Sequence, residues 1–231
     1  MKPHLFRWLL VALAPCVLPL HALEFRLVSW EGDISDLNYS DGNTPVPVSA
    51  SEGALSTPYH FEGPGPLILY KEVPAEGKIV RQPMATLTIP PNFTAAIILL
   101  AYADPSRTTF TGTWIDDSLE ARPPQTVTYR NFSSYPVAIK LGAGDYAIAP
   151  QGSLTQLTDS AVERVLFKAA AQTKSGWKAI ASTVQPVRPG MRTLVILRDG
   201  RPSPGTGIKA LVDMLRFNDY PPPPASVIAS R

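Results

Sequence analysis

Pro91-Asn92-Phe93-Thr94-Ala95-Ala96-Ile97-Ile98-Leu99-Leu100 lines up with Pro189-Gly190-Met191-Arg192-Thr193-Leu194-Val195-Ile196-Leu197-Arg198. In each stretch a proline turn leads into an apolar strand. Another strand follows in each, at residues 109–115 in the first and 208–215 in the second. The openings of the two halves match too, with Phe25-Arg26-Leu27-Val28-Ser29-Trp30 against Val127-Thr128-Tyr129-Arg130-Asn131-Phe132. A repeat of about a hundred residues is the size of one immunoglobulin-like sandwich. The chain is therefore expected to be all-β, with two tandem immunoglobulin-like β-sandwich domains after an N-terminal signal peptide.

Outward from this repeat, the rest of the chain reads as short strands. Candidates lie at residues 24–30, 67–70, 85–89, 96–102, 108–115, 126–130, 137–141, 146–149, 177–184, 193–198 and 208–212. The 25 prolines are scattered, which suits strands and turns better than long helices. Asp41-Gly42, Gly142-Ala143-Gly144-Asp145, Lys174-Ser175-Gly176 and Asp199-Gly200 are the turn candidates. Residues 159–171 read two ways. Val162, Val165, Leu166, Ala169 and Ala170 fall at helical spacing behind a Ser160/Glu163 capping box. The same residues also allow a strand over 164–170, paired with 177–184 across the Lys174–Gly176 turn, and this is slightly preferred. Arg122-Pro123-Pro124 breaks the pattern. The expected domains are thus residues 23–120 and 121–217, with an extended, disordered Pro-rich tail at 218–231.

The first residues carry an export signal. Lys2 and Arg7 give a positive start, an apolar run covers residues 8–20, and Leu20-His21-Ala22 offers a cleavage site. Cleavage after Ala22 would remove residues 1–22 and leave a periplasmic or secreted protein with no transmembrane segment. The run is short of the roughly 20 apolar residues that a membrane span needs. The leader takes with it the single cysteine, Cys16. The mature chain would then have no disulfide, no thiol nucleophile and no thiolate metal site. It also takes two of the 21 basic residues, which leaves 19 against 19 acidic ones. A formally neutral chain argues against nucleic-acid and anionic-membrane partners.

The second half reads Tyr129-Arg130-Asn131-Phe132-Ser133-Ser134-Tyr135-Pro136-Val137, then Gly142, then Ala149-Pro150-Gln151-Gly152. This order resembles uncharacterised exported bacterial proteins with tandem immunoglobulin-like sandwiches. A more distant likeness is to the periplasmic accessory protein of alginate O-acetylation. Neither supplies catalytic residues to carry over. The resemblance implies an assembly or interaction role at the cell envelope, with an envelope protein or a polysaccharide as partner.

Chemistry is sparse. After the leader only His60 remains, and Tyr59-His60-Phe61 reads as a strand between aromatics. A serine triad would need His60 and a presented serine, and no Gly-x-Ser-x-Gly elbow exists. Glu31, Asp33, Asp36 and Asp41 crowd the first loop region but lack a calcium-loop spacing. Asp116-Asp117 reads as a strand-end turn. Gly142-Ala143-Gly144 is a hairpin turn rather than a dinucleotide fingerprint. Asn38, Asn92 and Asn131 head formal glycosylation motifs. Trp30, Trp114 and Trp177 are expected in the cores, where aromatics dominate burial. Tyr39 and Tyr59 are the candidate ligand surface. The sequence thus reads as a non-enzymatic chain with no catalytic residues, cofactor or metal, acting as a protein-interaction module or, alternatively, a carbohydrate-binding one.

Overall fold

The structure, a computed structural model, describes residues 22–159, 161–201 and 209–221. The expected leader up to residue 21, Ser160 of the capping box and the tail beyond residue 221 lie outside the described residues. Sixteen strands make up the described fold, and no helix occurs in it. In the first half these are β1 Leu23–Ser29, β2 Ile34–Asp41, β3 Thr44–Ala50, β4 Tyr59–Phe61, β5 Leu67–Ala75, β6 Lys78–Leu87, β7 Ala95–Tyr102 and β8 Phe110–Asp116. In the second they are β9 Thr126–Asn131, β10 Val137–Leu141, β11 Gly144–Ile148, β12 Ser153–Leu157, β13 Arg164–Thr173, β14 Gly176–Pro186, β15 Arg192–Asp199 and β16 Val212–Asp219.

The strands build four sheets. The first half gives β4-β1-β7-β8 and β3-β2-β5-β6; the second gives β12-β9-β15-β16 and β11-β10-β13-β14. Each half is a two-sheet sandwich, and the second repeats the strand order of the first element by element. The order has its own character: consecutive strands β1 and β2 sit in different sheets, and β1–β7 and β9–β15 are parallel pairs. Side chains alternate between faces along a strand. Phe25, Leu27, Ile98 and Leu100 point into the first core with Leu67 and Leu69 of the opposite sheet. Tyr129, Val195 and Leu197 meet Ile139 and Phe167 in the second.

Register fixes which residues are equivalent. Phe25 pairs with Ala96 and Ala96 with Asp116; Val127 pairs with Thr193 and Thr193 with Asn218. Trp30 N–H donates to Leu100 O at 2.7 Å, and Phe132 N–H to Leu197 O at 2.8 Å. The openings therefore match as the sequence predicts, Phe25 with Val127. The turns match as well, with Asn92 at φ 70° and Gly190 at φ 75°. Between turn and strand, however, the first copy holds one extra residue. Residues 91–100 laid straight on 189–198 are thus one place out along the strand. Such a slip moves every side chain to the other face. It would equate Ile98, in the first core, with Ile196, which lies between the two sandwiches. Even the irregularities are duplicated. The β5–β6 ladder shifts register after Leu69 and the β13–β14 ladder after Ala169, leaving Met84 and Ile180 as the extra residues, both packed on their cores.

The sandwiches stack broadside through their β1/β7 and β9/β15 sheets. Val28, Ile97, Leu99 and Ile115 of the first half bury against Leu194, Ile196 and Phe217 of the second. By the register above, Ile97 is equivalent to Leu194, Leu99 to Ile196, and Ile115 to Phe217. Trp30 and its equivalent Phe132 meet edge to face at 5.8 Å. Equivalent surfaces meeting each other is the pattern of an isologous, two-fold contact, realised here within one chain. Strands buried on both faces read as continuous apolar runs, which explains Ile97-Ile98-Leu99-Leu100 and Leu194-Val195-Ile196-Leu197.

The preferred strand over residues 164–170 is present and runs to Thr173, because Phe167, Ala169 and Ala171 alternate inward and cover the core. Other expectations change. Residues 34–41, read as an acidic loop, form β2. Asp36 sits at φ 59° in a register break between Ile34 and Leu37, which hides the inward alternation of Leu37 and Tyr39. Trp177, expected in the core, is 53% exposed. The tail expected from residue 218 begins inside β16, since Asn218 and Asp219 still pair with Thr193 and Arg192.

Candidate functional site

The most deeply buried assembly of charge lies at one end of the seam. Asp117 and Asp219 are equivalent positions, each beside the last strand of its sandwich. Arg26 and Arg122 both bind Asp117, and Arg192 reaches it at 3.2 Å. Asp219 accepts from Arg26 at 2.7 Å, from Arg192 at 2.9 Å and from Arg122 at 3.5 Å. Arg192 also donates to the carbonyl oxygens of Asp117 and Arg122 at 3.0 and 3.3 Å. The Arg122 side chain is 1% exposed. Three guanidiniums around two carboxylates form a closed, internally paired cluster that fastens the linker and both sandwiches together. Burial raises the Asp219 carboxyl, but hydrogen bonds from Arg192 and Arg26 and the charges of Arg122 and Arg192 outweigh it, so its pKa lies below the ordinary value. Asp117 is buried in this cluster rather than a solvated turn residue. Its neighbour Asp116 does make the expected turn, accepting from Ser118 N–H at 2.9 Å.

The other end of the seam is closed by Arg198, which lies over the Trp30 ring with 5.7 Å to its centroid and binds Glu52 at 2.5 Å. Glu52 also binds Arg201 and accepts from Gly32 N–H at 2.8 Å. Its pKa is lowered: burial opposes ionisation, but Arg198 and the Gly32 amide prevail. Glu31 pairs with Arg107 at 2.6 Å, and Asp33 accepts from Ser51 Oγ at 2.7 Å. The first acidic group is thus divided among separate structural partners. Among the described residues no three His, Cys, Asp or Glu side chains come together as a metal site.

The two tyrosines singled out as a ligand surface are packing residues. Tyr39 is 3% exposed, lies edge-on to Phe25 at 5.3 Å and donates its hydroxyl to His60 O at 2.6 Å. Tyr59 is half-buried against the same core, 5.5 Å from Phe25. The Tyr39 ring is closed off by this packing. His60 stands on the short edge strand β4 opposite Glu24.

The Asn131-x-Ser133 and Pro150-x-Gly152 signals turn out to be two halves of one lock. The fully buried Asn131 amide donates to Tyr135 O, Ile148 O and Ala149 O at 2.9, 3.1 and 3.2 Å. Its oxygen accepts from Ser133 Oγ at 2.6 Å. Its backbone donates to Gly152 O and accepts from Gln151 N–H, with Gln151 at φ 62°. A buried side chain committed in this way is no glycan acceptor. Asn131→Ala would remove these side-chain bonds, leaving Ala149 O only Gly152 N–H and Tyr135 O only Ser133 Oγ, and lower stability by about 1–3 kcal/mol, measurable as a shift in urea midpoint at unchanged slope.

What remains open lies on the outer sheets. The hairpins β5–β6 and β13–β14 end in the edge strands β6 and β14. Ile79 and Val80 on β6, and Trp177 and Val184 on β14, are 45–66% exposed. Sequence reading located the second hairpin but took its tryptophan for core. The signal available was charge: residues 164–186 hold Arg164, Lys168, Lys174 and Lys178 and no acidic residue. Beside β14 a shallow cavity of ≈ 400 Å3 is lined by Ala138, Lys168, Ala170, Ala179, Ser182 and the Lys140–Asp145 ion pair, among others. A second, of ≈ 390 Å3, lies between Leu157, Val162 and Leu166 at the end of the same sandwich.

No protein-family model matches the chain, and no curated protein does either. Among solved structures it is similar to a "putative cell adhesion protein" from Bacteroides eggerthii DSM 20697, with 8% identity, a TM-score of 0.23, and coverage of 87% of this chain and 96% of that one. No relative stands behind the likeness to the alginate O-acetylation protein.

Proposed function

We propose that this chain is an exported, non-enzymatic protein of the cell envelope that works as a protein-interaction or assembly module. One observation carries this reading. The two sandwiches cover each other's central sheets, while both outer hairpins keep long edge strands with large apolar side chains in solvent. An edge strand offers a row of backbone donors and acceptors, which natural proteins protect unless it is used. The polar clusters described above are closed on themselves and hold the fold together. The carbohydrate-binding alternative loses Tyr39 as a stacking platform, since its ring is buried, and keeps Trp177 as an exposed one.

The test places a photo-crosslinking residue at Val184 and another at Ile79 in the exported protein. The expected result is a discrete protein adduct from at least one position. Turnover of an ester or glycoside by the purified chain, lost on His60→Ala, would overturn the reading.

A further inference from the structure

Resting on the interaction reading above, we propose that the edge of β14, over residues 181–185, takes an extended acidic segment of a partner protein as an added strand.

The edges of this protein are not equal. β3 carries Pro45 and Pro47, β6 carries Pro83, β4 has 3 residues, β11 and β12 have 5 each, and the proline-free β8 and β16, with 7 and 8, border the sheets that face the seam and bury Ile115 and Phe217 in it. Proline removes the N–H that an incoming strand would need, and short edges offer few bonds. β14 has 11 residues and no proline before its last, Pro186. The extra residue Ile180 divides it and leaves Ala181–Gln185 in regular register with Val165–Ala169. That regular stretch equals β11 or β12 in length, and the residues of β14 before Ile180 extend it into the longest edge of the fold.

Charge sets the chemistry of the occupant. Arg164, Lys168, Lys174 and Lys178 are all exposed, and none forms an ion pair among the described residues. The equivalent hairpin β5–β6 is mixed: Lys71, Lys78 and Arg81 stand with Glu72 and Glu76, and Arg81 faces Glu72 at 3.8 Å. One copy of the duplicated hairpin thus carries both signs, three basic residues against two acidic, and the other only basic ones. A segment with glutamate or aspartate at alternate positions complements Lys168 and its neighbours. Val184 and its cross-strand partner Leu166, 57% and 40% exposed, share the face of Lys168; the segment's apolar residues would lie on the other face, beside Ala181 and Thr183 at the edge of the second core. The alanines of the adjoining cavity leave room for side chains. A free backbone edge bonds directionally to another backbone, which a polysaccharide cannot reproduce.

The probe is a soluble peptide of about ten residues alternating valine or threonine with glutamate, the length of a long strand. Binding is read from the backbone amides of residues 181–185 by NMR. The expected result is that these amides shift, and that affinity falls about tenfold or more when Arg164→Glu and Lys168→Glu, on one face of β13, are combined. N-methylation of alternate peptide nitrogens should abolish it. Both substitutions are exposed, so the variant keeps the wild-type melting temperature. Equal binding of the N-methylated peptide, or shifts confined to other strands, overturns the strand addition. If the peptide fails while the Ile79 crosslinker still captures its adduct, the β14 assignment falls and the interaction reading stands. If an anionic polysaccharide such as alginate binds and the peptide does not, both fall.

Discussion

Asp219→Asn costs the protein about 3–5 kcal/mol at neutral pH, the range for breaking a buried ion pair. The reason is arithmetic within the cluster. Arg26, Arg122 and Arg192 share Asp117 and Asp219. Removing one carboxylate leaves three buried guanidiniums around the other, and Arg122, almost wholly buried, has nowhere to turn. Removing one arginine instead leaves two charges of each sign, so Arg26→Met is expected to be the milder change. Urea unfolding of the three proteins tests the order, and equal losses would refute it.

The same substitution has a pH signature. The Asp219 carboxyl is held below its ordinary value in the folded protein. A depressed acid contributes stability that is present above the unfolded pKa, about 3.9, and is lost as pH falls through the folded value. The gap between wild type and Asp219→Asn should therefore be full at pH 6–7 and close progressively below about pH 4. A gap independent of pH would show that the loss comes from packing and not from charge.

The second large effect lies in the apolar seam. Leu194→Ala should cost about 2–5 kcal/mol, because its side chain is fully buried and the strands around it cannot collapse into the space. In a protein of this size each kcal/mol lowers Tm by roughly 2–4 °C. Since Leu194 touches neither sandwich core and packs only between them, the loss reports on the stacking itself. Wild type is expected to melt in one calorimetric transition. In Leu194→Ala the two sandwiches should begin to separate, giving a broader or split transition. An exposed control on the same fold, Thr183→Ala, should stay within about 0.5 kcal/mol of wild type. A Leu194→Ala protein as stable as wild type would mean that the sandwiches do not stabilise each other.

The duplicated apolar runs, the turn residues and the alternating strands were enough to specify two β-sandwiches, because these features act locally and recur at a period of two residues. The Asn131 motif was visible as a pattern, but not its use as a lock, since its partners lie 17 and 18 residues away. Tyr39 was misread because the bulge at Asp36 breaks the alternation that would have marked it as inward-facing. Trp177 was misread because composition says that a tryptophan is usually buried but not which end of a hairpin overruns the core. The one-residue offset between the copies is invisible to a direct alignment, yet it decides which of Ile98 and Ile196 faces a core and which faces the seam. That Asp117 and Asp219 share three arginines follows only from stacking the sandwiches. Linear order specified most of the strands and the duplication, though not β2. Faces, edges and partners were decided by the tertiary structure, since burial and charge pairing depend on what lies opposite in space.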